Sequence, residues 1–146
     1  KISPFVISAL IATEDQRFYD HAGVDAEGLA RAVTFAAVGK DGGGASTISQ
    51  QLAKLLYTAS DTANGGVAKD KWGRLEQKFG ENILAVRLEK HYTKEEIITM
   101  YLNNFDFLYN AVGISSASQV YFNKTPDSLK MEEAAMVVGL CNHTGM

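Results

Sequence analysis

Apolar residues in this 146-residue chain return every three or four positions, and nowhere do they alternate with polar ones over the length of a strand. That spacing matches the 3.6-residue turn of a helix, not the two-residue repeat of a sheet, so the pattern predicts an all-α fold. Only two prolines and thirteen glycines punctuate it, which suits helices broken by glycine turns. The length is that of one domain with a sizeable core. No internal repeat is visible.

Start and stop signals divide the pattern into helices. Ser3-Pro4 supplies an N-cap and a proline at the first helical position, opening a helix that runs to about Glu14. Asp25 caps a second, with Leu29, Ala32, Val33 and Ala36 on one stripe and Gly39 as the stop. Thr47-x-x-Gln50 has the form of a capping box for a third, whose stripe is Ile48, Leu52, Leu55 and Leu56. After a polar loop from Ser60 to Lys71, a long helix is expected to about Tyr92, with Phe79, Ile83 and Val86 on its core side. Thr93-x-x-Glu96 caps the next, which carries Ile97, Ile98, Tyr101 and Leu102. An aromatic loop follows over 103–110. Val112 to Phe122 reads as a helix ended by Asn123, a residue that tolerates a left-handed turn. Pro126 and Ser128 begin the last helix, with Ala134, Val137, Val138 and Cys141 inward.

Composition excludes several classes of function. A net charge of −3 makes no general demand for nucleic acid. The charge is uneven, however: residues 69–94 carry net +3, which fits a solvated helix face or an anion site. Cys141 is alone, so no internal disulfide can form. Three scattered histidines and one cysteine make no zinc pattern. No apolar run approaches 18 residues and no signal peptide is seen, so nothing in the sequence spans a bilayer. The chain enters a helix at once and stops in a loop at Gly145-Met146, and so reads as an excised domain covering residues 1–146.

The chemistry gathers in three places. Ile7, Leu10 and Ile11 lead straight into the carboxylates of Glu14 and Asp15. A helix end that brings Glu14 out of an apolar wall is a way to raise its pKa for acid–base work, although such a pair can also merely solvate a terminus. Gly42-Gly43-Gly44 precedes a helix N-terminus and can present backbone N–H groups to an anion, without the G-K-[ST] of a nucleotide loop. Arg74, Lys78 and Glu81 share one helix face at i, i+4, i+7, and Gln50 and Lys54 lie four apart on another. Leu29 to Val38 is apolar apart from Arg31, which fits core packing or a face turned to lipid.

Five blocks, taken in order, resemble the peptidoglycan glycosyltransferase domain of class A penicillin-binding proteins, glycosyltransferase family 51. They are Glu14-Asp15-x-x-Phe18-x-x-His21-x-Gly23-x-Asp25, Gly44-Ala45-Ser46-Thr47-Ile48-Ser49-Gln50-Gln51-Leu52-x-Lys54, and Gln77-Lys78-x-x-Glu81 followed by Ala85-x-x-Leu88-Glu89. Lys94-Glu95-Glu96-Ile97-Ile98-x-x-Tyr101-Leu102-Asn103 and Tyr121-Phe122-Asn123-Lys124 complete the set. There are departures. Ser49 stands where threonine is usual, Gln77 where arginine is common, Gly80 where a polar or basic residue often sits, and Asn123 where glycine is usual. The stretch from Ser60 to Trp72 is longer than usual.

The resemblance implies a lysozyme-like helical fold, with a large lobe and a small, mobile, membrane-facing lobe built around residues 22–45. It implies polymerisation of lipid II by attack of a sugar 4-hydroxyl on the anomeric carbon of a lipid-linked strand, with inversion and release of undecaprenyl pyrophosphate. Glu14 would be the general base and Glu81 the second catalytic carboxylate. Asp15, Phe18, His21, Ser46, Gln50, Lys54, Arg74, Lys78 and Arg87 would bind substrate. A divalent cation, Mg2+ or Mn2+, can assist in such a site. The implied partners are lipid II, the growing glycan strand, the membrane surface and a transpeptidase domain, with no nucleic acid. The implied place is the bacterial cell envelope, on the periplasmic, extracytoplasmic face of the inner membrane, anchored by a helix outside this sequence. A lysozyme-like peptidoglycan hydrolase and a catalytically inactive glycan-binding scaffold are the alternatives.

Overall fold

The computed structural model describes residues 1–40, 45–61, 71–107 and 111–144. Among them the chain forms α1 (Pro4–Glu14), α2 (Ala26–Ala37), α3 (Ile48–Asp61), α4 (Lys71–His91), α5 (Lys94–Asn104), α6 (Ile114–Phe122), a 3-10 turn (Pro126–Ser128) and α7 (Met131–Thr144). The one extended pairing among the described residues is an isolated bridge between Asp106 and Val112. The fold is all-α, as the periodicity predicts. Two compact units divide it: Lys1–Gln16 with Ile98–Met146, and Arg17–Ile97.

In the first unit α1 packs on α7. Val6 and Leu10 of α1 and Ala134, Val137 and Val138 of α7 are buried, with Tyr101, Leu102, Phe107 and Ile114 also in the core. Ser3 caps α1 by accepting from Phe5 N at 3.3 Å, and it also binds a distant segment. Its N–H donates to Pro126 O at 2.9 Å and its hydroxyl to Leu129 O at 3.0 Å. This tie corrects the expected start of the last helix. Leu129 is buried with extended backbone, so the Pro126–Ser128 turn ends there and α7 begins only at Met131. Glu133 caps that start by accepting from Lys130 N at 3.0 Å. Lys124 holds the same carboxylate at 2.8 and 3.0 Å and, ahead of the Lys130 N–H, keeps it below the usual glutamate pKa.

Asn123 does close α6 in the left-handed conformation, at φ 52°. The other end of α6 differs from expectation. Val112 pairs with Asp106, and Gly113 at φ 83° turns the chain so close to α5 that a Cβ there would sit 2.7 Å from Asn103 O. Only glycine fits both constraints, and the helix starts at Ile114.

The second unit is built on the α3–α4 pair. Ile48, Leu52 and Ala53 face inward from α3, and Glu81, Ala85 and Leu88 from α4. The expected core side of α4 is therefore corrected: Phe79 is 68% and Ile83 46% exposed. With Trp72 and Leu75 they form an exposed apolar stripe at helical spacing. The buried face of α4 is the one that carries Glu81, Ala85 and Leu88. Gly23, at φ 109°, lies where a Cβ would be 2.9 Å from the Ala85 backbone, so the 17–25 turn sits directly against α4. Asp25 caps α2 by accepting from Gly28 N at 3.0 Å, and Gly39, at φ 72°, follows the helix end. Of α2 only Gly28 is buried. The glycine run 42–44 lies outside the described residues. Among those described, no helix is long and apolar enough to cross a membrane.

Candidate active site

Glu14 and Asp15 belong to the first unit, and every other candidate side chain to the second. Glu14 is the last residue of α1, beyond the buried Val6 and Leu10, with its Oε1 shielded from solvent. The apolar helix does deliver a carboxylate at its end. Asp15 is the C-cap, buried, with its N–H on Ile11 O at 3.1 Å.

In the second unit Phe18 and His21 point inward. Lys94 Nζ lies 4.5 Å above the Phe18 ring and donates to His21 O at 2.6 Å and to Glu89 Oε1 at 2.7 Å. Ser49 Oγ donates to the same Glu89 oxygen at 2.6 Å. His21 Nδ1 accepts from Gly23 N at 3.1 Å, so that nitrogen carries no hydrogen in this arrangement. Phe18 and His21 thus shape the turn through a buried network and are not offered to solvent. Glu89, Lys94 and Ser49 sit within quoted motifs, but nothing in their spacing reveals that they converge on one carboxylate oxygen.

The binding surface rises from α3 and α4. Thr47 N donates to Gln50 Oε1 at 2.8 Å while Gln50 N donates back to Thr47 Oγ1 at 3.1 Å, which is the expected capping box. Thr47 Oγ1 itself donates to Gly23 O at 2.6 Å, tying the box to the turn. Gln50 is 6% exposed, and its Nε2 donates to Asn82 Oδ1 at 2.7 Å. Asn82 is a residue that sequence reasoning passed over. Ser46 and Lys54 are exposed on the α3 side, and Arg74 and Lys78 on the α4 side.

Glu81 is only 5% exposed, one helical turn from Lys78, and the two form no ion pair among the described residues. Arg87, nine positions after Lys78, falls about two and a half turns away, on the opposite side of α4. The geometry does not gather it with the other cations.

No group of three metal-ligating side chains occurs among the described residues. Glu81 alone cannot cage an ion, but one carboxylate with substrate phosphates is a common way to hold Mg2+. Exposed ammonium groups, a buried carboxylate and a locked carboxamide suit a ligand that carries phosphate and many hydroxyls.

The family model described as Transglycosylase matches residues 1–145. Penicillin-binding protein 1A of Escherichia coli (strain K12) is 42% identical over 141 residues, which is 96% of this chain. Penicillin-binding protein 1A of Neisseria flavescens is 42% identical over 90% of the chain, and that of Haemophilus influenzae 40% identical over 92%. The chain spans 15% of the length of each of these relatives.

Proposed function

The chain belongs to the transglycosylase family, and we propose that it is the peptidoglycan glycosyltransferase part of a class A penicillin-binding protein, polymerising lipid II. The observation that carries this reading is the surface of α3 and α4, where exposed Lys54 and Lys78 flank a fixed Gln50 and a buried Glu81. A lysozyme-like hydrolase acts on a neutral glycan and has no need of such cations, whereas a pyrophosphate leaving group does. Glu14, at the end of an apolar helix, removes the proton from the attacking 4-hydroxyl. Lys78, with Arg74 and Lys54, balances the charge that grows on the pyrophosphate. Glu81 is the residue that would hold a divalent cation, Mg2+ or Mn2+, with the phosphates supplying further oxygens.

The partners follow from that substrate: lipid II, the growing strand, and the surface of the bilayer in which the polyprenyl tail sits. Exposed Leu29, Val33 and Phe35 on α2 with Val38 just beyond its end, and Trp72, Leu75, Phe79 and Ile83 on α4, are the apolar residues for that surface. The extracytoplasmic face of the inner membrane, and a transpeptidase domain in the remainder of the protein, complete the reading. Incubating the protein with radiolabelled lipid II and, separately, with finished glycan tests it. Polymer from lipid II and no breakdown of glycan is the expected result, and breakdown alone makes it a hydrolase. Glu14→Gln keeps lipid II binding and lowers polymerisation by about 10²-fold or more. Near-normal turnover removes Glu14 from the mechanism.

A further inference from the structure

One backbone group sets the orientation of two side-chain amides on this surface. Thr47 N–H is a donor and nothing else, so the Gln50 atom 2.8 Å from it must be the carbonyl oxygen. The Gln50 amide nitrogen is thereby turned toward α4, where it meets Asn82 at 2.7 Å. Asn82 must in turn present its oxygen, which leaves its own NH2 facing away from Gln50. The chain of bonds runs from Gly23 O through Thr47 and Gln50 to Asn82, linking the 17–25 turn, α3 and α4.

A capping box does not need this third member. The box at Thr93 and Glu96 has the same two bonds, at 2.8 and 3.2 Å, on an exposed glutamate and with no further partner from another helix in those bonds. At Gln50 an amide replaces the carboxylate and so brings two N–H donors as well as the capping oxygen. One is spent on Asn82, and the other is free for a ligand oxygen. Asn82 lies four positions after Lys78, on the same face of α4. Lys78, Asn82 and the bonded Gln50 amide are thus presented on one side of α4.

We propose that Asn82 is a positioning residue of the donor-binding surface: it fixes the Gln50 carboxamide so that its remaining N–H donates to a sugar or phosphate oxygen of the lipid-linked substrate. This rests on the function proposed above. Asn82 stands between Glu81 and Ala85, next to the buried carboxylate of the same helix. It adds donors without adding charge, on the α4 face that already carries Lys78.

The test is a double-mutant cycle on lipid II polymerisation with Asn82→Leu, Gln50→Ala and the pair. Asn82→Leu keeps the branched side-chain skeleton and cannot accept the bond. It is expected to lower kcat/KM about tenfold, through KM more than kcat, the size of one lost hydrogen bond to substrate. Because Asn82 acts through Gln50, the double variant should be no worse than Gln50→Ala alone. A second readout needs no substrate: the side-chain NH2 resonances of Gln50, assigned by isotope-edited NMR. They are expected to stay distinct in Asn82→Asp, which keeps the acceptor, and to collapse toward free-amide values in Asn82→Leu. Wild-type protein that fails to polymerise lipid II refutes the proposed function, while the NMR arm still decides the positioning. Unmoved Gln50 resonances in Asn82→Leu, or losses in kcat/KM that multiply across the cycle, overturn the inference.

Discussion

Helices α2 and α3 stand on either side of the glycine run at 42–44, and each has a clear apolar stripe. Their fates differ. From α3, Ile48, Leu52 and Ala53 are fully buried, whereas Leu29 and Val33 of α2 remain 50% and 62% exposed. The difference comes from what each helix has to lean on. Helix α3 packs along α4 and is tied to it by Gln50 and Asn82, while α2 is held at its start, by the Asp25 cap, and buries only Gly28. An apolar stripe states that a helix wants cover; it does not state that the protein provides it. Under the function proposed above, a stripe left open is a surface for lipid.

The sharpest way to break this comparison is to truncate matching leucines. Leu52→Ala should lose about 2–5 kcal/mol of stability in chemical denaturation, as a buried leucine does. Leu29→Ala should change it by no more than about 0.5 kcal/mol. Equal losses would mean that α2 is as well packed as α3. A second test moves from stability to binding on the α3–α4 side. Lys78→Ala should weaken a pyrophosphate-bearing ligand by about tenfold in calorimetry, in line with one charge-assisted contact. Affinity equal to wild type would pass the phosphate role to Lys54 or Arg74.

Hydrogen exchange sharpens the contrast without mutation. Amides of 26–37 should exchange well ahead of the buried first turns of α3, and should slow when a lipid-linked inhibitor or anionic vesicles are added. Strong protection in the free protein, unchanged by ligand, would make Leu29 and Val33 ordinary core. The smallest effect is expected from Leu29→Ser with Val33→Ser. Sedimentation with vesicles should show a several-fold weaker partition, with little change in melting temperature. Unchanged partition would move the lipid-facing role to the α4 stripe of Trp72, Leu75, Phe79 and Ile83.

The sequence alone determined most of the local architecture. Ser3, Asp25, Thr47 with Gln50, and Thr93 with Glu96 cap helices as their spacing predicts, and Asn123 takes the left-handed turn. Such features are legible because both partners lie within a few residues of each other, so the bond depends on little else. The five motifs likewise single out Glu14, Gln50, Lys78 and Glu81 as the residues to test. Tertiary structure alone decided the rest. Phe79 and Ile83 share a face by periodicity, but the face of α4 that packs is the one with Ala85 and Leu88, and the Gly23 turn closes on the helix backbone at Ala85. The break at Leu129 depends on Ser3, more than 120 positions earlier. The Glu89 oxygen that gathers Ser49 and Lys94, and the Gln50–Asn82 bond, join residues from separate helices. Periodicity repeats along one helix and contains no term for its neighbour, so contacts of this kind exist only once the helices have met.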